Sequence, residues 1–121
     1  SVPVLKAHSL ADITGSLKNM MGLLPPKHYG GHPGSWKKAR FHSHLHAAIR
    51  ELNTYRPPDL SLMDATVGLA SFHLGGPVCE PPVNRLLAGF DALALDRQAA
   101  DLLGLDWRSI AHLADNAGQR A

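Results

Sequence analysis

The sequence predicts an α/β domain in which a small, largely parallel sheet of three strands, or slightly more, has helices packed on it. Short apolar runs bounded by turn residues indicate buried strands, and apolar residues recurring every three or four positions indicate helices. The two patterns alternate along the chain, which is typical of strands covered by helices. Three strands leave exposed sheet edges, so we expect a homo-oligomer, or a missing upstream segment that would make this chain part of a larger domain.

Composition limits the classes of function. The chain has 121 residues, of which 45% are hydrophobic and 18% charged, with a net charge of +2. This composition suits one globular domain, and a net charge of +2 is too small to indicate a nucleic-acid-binding surface. The sequence contains neither a signal peptide nor an apolar run near the ~20 residues of a membrane span, so we expect a cytoplasmic protein without a membrane partner. The single Cys79 excludes an iron–sulfur cluster held by this chain alone.

The first elements are predicted as a strand and a helix. Residues 2–6 form an apolar, β-branched strand, with Pro3 near its start. Ser9 and Asp12 resemble a capping box, and the apolar spacing from Leu10 onward predicts a helix that ends near Gly22. Gly15 inside this segment indicates either a close approach or the true start of the helix.

A loop and a second helix follow. Residues 25–40 are rich in Pro and Gly and contain four cationic residues and two histidines with no acid, which is typical of a binding loop or lid. The second helix is predicted from Ser35 or Trp36 to Tyr55, where Pro57 stops it.

The second half is predicted as two strands and two helices. Residues 60–65 are predicted to form a buried strand with Asp64 at its carboxyl end. Residues 85–90 are predicted to form another buried strand, and a loop over residues 68–82 lies between the two. Asp91 is predicted to cap a helix that ends at Gly104. Asp106 is predicted to cap a last helix that ends at Gly118.

Polar residues near the end of the first strand indicate an anion site. Lys6 and His8 end the strand, and Lys18 and Asn19 lie on the following helix. Ligands of open α/β sheets bind beyond the carboxyl ends of the strands, and two lysines there suit a phosphate or a carboxylate. We expect Asp64 to face this pocket and the 25–40 loop to close it. Solvated surface charges are the alternative. Close backbone approach to a ligand is expected at two glycines of the 68–82 loop, Gly75 and Gly76.

Histidines in the predicted second helix indicate a possible metal site. His42 and His46 stand four residues apart on one helical face, a spacing that can ligate zinc, whereas His44 lies on the other side of the buried stripe. A third ligand would come from His28, His32, His73 or an aspartate. A helix flank with solvated histidines is the alternative.

Several segments resemble the family called domain of unknown function 362. The run VPVLKAH at residues 2–8 matches its VPxLKxH strand end, and TGSLKNMMG at residues 14–22 matches its TGxxKNxxG helix. Residues 58–65 resemble its PDLxIxDA strand, residues 75–77 its GP loop, and residues 89–96 its DPVAVD segment. The resemblance covers nearly the whole chain in the correct order and identifies it with the C-terminal part of the domain.

The resemblance implies little about activity, because the family has none assigned. It implies a strand-and-helix segment upstream and, since some members adjoin ferredoxin-like modules, a possible iron–sulfur partner module. It carries over Lys6, His8, Lys18, Asn19 and Asp64 as site positions. The chain departs from the family pattern after Pro77, where Val78-Cys79-Glu80 follows, and at Ala92, which replaces the usual proline.

The expected function is therefore the binding of an anionic small molecule or cofactor of unknown identity. A histidine-based metal-binding module and a structural domain that oligomerises through its sheet edges are the alternatives. Whether the protein is an enzyme is left open by the sequence.

Overall fold

The protein is an α/β structure built on a four-stranded mixed sheet. The computed structural model describes residues 1–29 and 39–114. The strands are β1 (Val4–His8), β2 (Asp12–Thr14), β3 (Ser61–Leu69) and β4 (Arg85–Gly89), in the order β2-β1-β3-β4. Only β1 and β3 run parallel, and the two outer pairs are antiparallel. The α/β class is confirmed, whereas a largely parallel sheet matches only the central strand pair.

Within the described ranges, four α-helices and three short 3₁₀ segments accompany the sheet. The α-helices are α1 (Ser16–Asn19), α2 (Pro26–Tyr29), α3 (Leu45–Tyr55) and α4 (Ala92–Leu102), and the 3₁₀ segments are Met20–Leu23, Ala39–His44 and Trp107–Ser109. In the described part of the chain, no helix has the length and apolar character that crossing a membrane requires.

The core lies on one face of the sheet. Leu5 and Met63 alternate with exposed neighbours along β1 and β3, as the two-residue repeat of a strand requires. Both side chains are fully buried and pack in one cluster with Ile49 of α3 and Leu95 of α4. The opposite face exposes apolar side chains, and Val4, Leu62 and Leu86 are 51%, 45% and 67% exposed.

The first helix differs from the prediction. Residues expected to begin it form a hairpin, in which β2 pairs antiparallel with β1 and His8 lies opposite Asp12. The capping box is therefore absent. Asp12 is the first residue of β2, directly after the turn, and has a φ of 63°. The spacing misled because Ile13 on β2 and Leu17 on α1 are both buried without sharing a helix.

The helix α1 begins where Gly15 indicated. Gly15 is its N-cap and carries no capping side chain. Instead, the buried carboxylate of Asp96 in α4 accepts the N–H groups of Ser16 and Leu17, at 2.6 and 2.9 Å. A side chain from a distant helix thus satisfies the first donors of α1.

The later elements keep their predicted ends more closely. Asp91 caps α4 by accepting from Ala94 N at 3.0 Å, and Gly104 has a φ of 72° after that helix. Asp106 caps a short 3₁₀ segment by accepting from Arg108 N at 3.1 Å, so the predicted last helix is one turn here. Gly118, its expected end, lies outside the described residues.

Two further bounds are corrected. α3 starts at Leu45 behind a 3₁₀ segment, and the predicted start at Ser35 or Trp36 lies outside the described residues, as do residues 30–38 of the 25–40 loop. β3 continues to Leu69, so Asp64 lies in the middle of that strand rather than at its carboxyl end. The apolar stretch ends earlier than the strand because Asp64 and Thr66 lie on the exposed face of β3.

Candidate functional site

A cleft of about 350 Å³ opens beside the β1–β2 hairpin. It is bounded by the hairpin, by α1 with the 3₁₀ turn after it, and by the Ala39–His44 segment leading into α3. None of the described lining residues is acidic; the lining comprises Lys6, His8, Thr14, Lys18, Asn19, Met21, Gly22, Phe41, His42 and Leu45. Four of the residues expected to form an anion pocket, namely Lys6, His8, Lys18 and Asn19, therefore line one cleft.

The two lysines make the cleft electropositive. Burial and the nearby ammonium group of Lys6 lower the pKa of Lys18 from its ordinary value. The ion pairs found among the described residues use Asp12, Asp59 and Asp106, and none of them involves Lys6 or Lys18. Two cations that lie close to each other, of which Lys18 is largely desolvated, and that have no described carboxylate partner could hold an anion between them.

The protonation of His8 is determined by its backbone contacts. Its Nδ1 accepts the N–H groups of Leu10 and Ala11 at 3.1 and 3.2 Å. An imidazole nitrogen that accepts must be unprotonated, so the ring hydrogen lies on Nε2. Burial, and then the positive charge of Lys18, lower the pKa of His8 to about 4. His8 is thus a neutral ring with one N–H donor at neutral pH.

A second histidine, His73, fixes the plane of His8. The two rings stack with centroids 3.8 Å apart and planes inclined by 14°. His73 lies in the turn before Gly75 and Gly76, which the sequence had assigned to the site for close approach to a ligand. Gly76 instead approaches Phe72 O, where a Cβ would come within 2.6 Å, and neither glycine lines the cleft. No spacing in the sequence distinguished His73 from its neighbours.

Asn19 and Thr14 add neutral polar groups. The amide of Asn19 donates to Ser1 Oγ at 3.0 Å, which orients the side chain at the cleft wall. Thr14 is 7% exposed, and its hydroxyl has no hydrogen-bond partner within residues 1–29 and 39–114. A buried hydroxyl of this kind can donate to a ligand oxygen. Thr14 begins the TGSLKNMMG motif, but it was not among the predicted site residues.

Asp64 lies away from these groups. It pairs with Val4, the first residue of β1, whereas His8 is the last residue of that strand. Asp64 does not line the cleft. Its Oδ1 accepts from Thr66 N at 3.0 Å and from Thr66 Oγ1 at 2.7 Å. These hydrogen bonds lower the pKa of Asp64, which is a local structural role for the carboxylate.

The two histidines of the expected metal site belong to different surroundings. His42 lies in the 3₁₀ segment and lines the cleft, whereas His46 is in the first turn of α3. His46 Nδ1 lies 2.9 Å from His112 Nδ1, and its Nε2 lies 3.5 Å from Asp12 Oδ2. Across residues 1–29 and 39–114, no three histidine, cysteine or acidic side chains are grouped so that they could hold a metal ion.

Comparison with known proteins identifies the family. No curated protein and no solved structure matches the chain. Residues 1–101 match the family model described as Domain of unknown function (DUF362). The matched segment contains the hairpin, α1, the cleft and α4 up to Asp101, and so it includes all the cleft residues described above. The chain therefore belongs to the DUF362 family.

Proposed function

We propose that this protein binds a small anion, a phosphate or carboxylate compound, in the cleft between Lys6, His8 and Lys18. The observation that carries the proposal is the charge of the described lining: two lysines and two histidines without an acidic residue. Anions are held by such groups through charge-assisted hydrogen bonds, which are stronger than neutral ones.

The neutral groups of the cleft support the same ligand class. His8 presents an Nε2–H donor, because its Nδ1 is occupied by two backbone N–H groups. Thr14 offers a buried hydroxyl with no protein partner. Donors that are fixed before the ligand arrives lower the entropic cost of binding.

The apolar part of the cleft indicates the size of the ligand. Met21, Phe41 and Leu45 lie beside the cationic groups. A cleft of about 350 Å³ is at the small end of the range for small-molecule sites. A ligand with one anionic group and a short carbon skeleton would use both parts of this surface.

Calorimetric titration with inorganic phosphate and with short-chain carboxylates tests the proposal. Lys6→Met and Lys18→Met keep the apolar stems and remove the charges, and each is expected to weaken binding about tenfold, the usual effect of losing one charged hydrogen bond. The matched control is Lys27→Met, because Lys27 is exposed on α2 and does not line the cleft. Absence of binding by the wild-type protein, or equal affinity in the Lys6 and Lys18 variants, would contradict the proposal.

The two alternative functions remain predictions with separate tests. Elemental analysis of protein purified without a histidine tag decides whether His42 and His46 hold a metal. Light scattering over a range of concentrations decides whether the chain associates through its sheet edges, where β2 and β4 are the outer strands.

A further inference from the structure

A second cleft, of about 460 Å³, lies between α3, the start of α4 and the segment after the last 3₁₀ turn. Its lining includes Leu17, Asn53, Leu93 and His112. It shares no lining residue with the cationic cleft described above. The lysines and the His8 ring that make the first cleft an anion site are therefore absent from its described lining.

Two residues lining this cleft each have a buried polar atom without a hydrogen-bond partner among the described residues. His112 is 3% exposed, and its Nε2 is unpaired. Oδ1 of Asn53 is likewise buried and unpaired. The amide nitrogen of Asn53 donates to Leu17 O at 2.9 Å and to Ile49 O at 2.8 Å, so its orientation is fixed and the unpaired atom is the acceptor.

The neighbours of His112 determine whether its Nε2 carries a hydrogen or a lone pair. His112 Nδ1 and His46 Nδ1 lie 2.9 Å apart, so the two nitrogens share one hydrogen. His46 Nε2 faces the carboxylate of Asp12 at 3.5 Å, which favours a hydrogen on that nitrogen. His46 is then the acceptor at Nδ1 and His112 the donor. Nε2 of His112 consequently carries a lone pair.

The charges around His112 keep it neutral. Burial, followed by the electrostatic effect of the neighbouring His46 and by the positive charges of Lys18 and Arg50, lowers its pKa to about 3. The same cations disfavour an ammonium ligand at this position. Arg50 and Arg97 also line the cleft, but an anion facing His112 Nε2 and Asn53 Oδ1 would bring further lone pairs against two acceptors that already lack donors. The remaining class is a neutral molecule that donates through hydroxyl groups.

We infer that the second cleft binds a small neutral polyol or sugar, whose hydroxyl groups donate to His112 Nε2 and Asn53 Oδ1. Leu17, Leu93 and Pro58 supply the apolar walls against which a carbon skeleton packs. Three charged residues belong to the described lining. Arg97 Nε donates to Leu113 O at 2.8 Å, Asp91 caps α4, and the positive charge of Arg50 acts on His112. The cleft volume lies within the range of small-molecule sites.

The test is a titration of the wild-type protein, labelled with ¹⁵N at histidine, with glycerol, D-ribose and myo-inositol in turn. We expect the His112 Nε2 resonance to report an unprotonated nitrogen in the free protein and to shift saturably with at least one polyol. Inorganic phosphate is expected to leave this resonance unmoved, because it belongs to the other cleft. This readout separates failure of the inference from failure of the proposed anion site.

A variant pair completes the experiment. His112→Phe keeps a ring of similar size without the acceptor and is expected to weaken polyol binding about tenfold. His28→Phe, at an exposed position on α2, is the control and should bind as the wild type does. If His112→Phe does not fold, the wild-type resonance alone decides. A protonated Nε2, a shift with phosphate only, no shift with any polyol, or equal binding by His112→Phe would each overturn the inference.

Discussion

The carboxylate of Asp96 accepts the backbone N–H of Ser16 at 2.6 Å, although 80 residues separate them in the sequence. A second N–H, from Leu17, donates to the other carboxylate oxygen at 2.9 Å. Asp96 is fully buried and thus caps α1 from the middle of α4. Since Lys18 and Asn19 are the next residues of α1, this contact also sets the position of one wall of the cationic cleft.

Replacing Asp96 tests the capping contact. Asp96→Ala leaves two buried N–H groups without acceptors and opens a small cavity, so the free energy of unfolding is expected to fall by about 2–4 kcal/mol at pH 5. Urea unfolding followed by circular dichroism measures the change. Asp101→Ala, at an exposed position on the same helix, is the control and should cost under about 0.5 kcal/mol. Equal losses would show that Asp96 has no special role.

The difference in unfolding free energy between the wild type and Asp96→Ala is expected to depend on pH. Burial raises the pKa of Asp96 to about 6, against the opposing effect of its backbone hydrogen bonds. A folded-state pKa above the unfolded value means that the native state holds the proton more tightly, so this contribution to stability is greatest below pH 4 and falls as pH rises through 6. The difference in unfolding free energy between wild type and Asp96→Ala should narrow by about 1 kcal/mol from pH 5 to 7. A difference that widens over this range would contradict the raised pKa.

Gly15 is predicted to tolerate no side chain. A Cβ there would lie 2.4 Å from Asp96 Oδ1, a distance at which the carboxylate must move. Gly15→Ala is therefore expected to destabilise the protein by about 2 kcal/mol or more and to weaken anion binding, because α1 shifts with its cap. Gly22→Ala is the matched control, since a Cβ there meets nothing within 4 Å. Thermal unfolding and calorimetry of the two variants make the comparison, and similar behaviour would count against a close approach at Gly15.

His8 is predicted to titrate far below an ordinary histidine. Burial and the Lys18 charge lower its pKa to about 4, and protonation would also break two backbone hydrogen bonds at Nδ1. A lowered folded-state pKa means that this residue costs stability as pH falls from 6.5 toward 4. Histidine ¹H–¹⁵N spectra should show an Nε2-protonated neutral ring at pH 6, and added phosphate should raise the pKa. A ring charged at pH 6 would exclude the backbone contacts described.

Adjacent residues of β3 should differ in their effect on stability. Met63 is fully buried on the core face, whereas Leu62 is 45% exposed on the other. Met63→Ala is expected to cost about 2–5 kcal/mol and Leu62→Ala under about 1 kcal/mol. Urea unfolding of both variants gives the two values. Comparable losses would mean that the second face of the sheet is also covered in solution.

The sequence was sufficient for features that depend on neighbouring residues. The caps at Asp91 and Asp106 and the positive φ at Gly104 follow from local chemistry and are present. Two predicted strands, at residues 60–65 and 85–90, are present with shifted ends, because turn residues bound both apolar runs and each run is too short for a typical helix. Lys6, His8, Lys18 and Asn19, which the family motifs select, line one cleft, and their role as a binding site stays a prediction.

Features that depend on distant residues required the tertiary structure. The β1–β2 hairpin replaced a predicted helix because burial of Ile13 against the sheet outweighs a coincidental helical spacing. Stacking of His73 on His8, capping of α1 by Asp96 and the contact of His46 with His112 join segments far apart in the chain. No local pattern encodes such contacts. The sequence by itself thus determined the fold class and indicated a group of cationic residues. Only the folded chain decided which histidines lie beside them and which acid caps α1, because side-chain partners are chosen by packing.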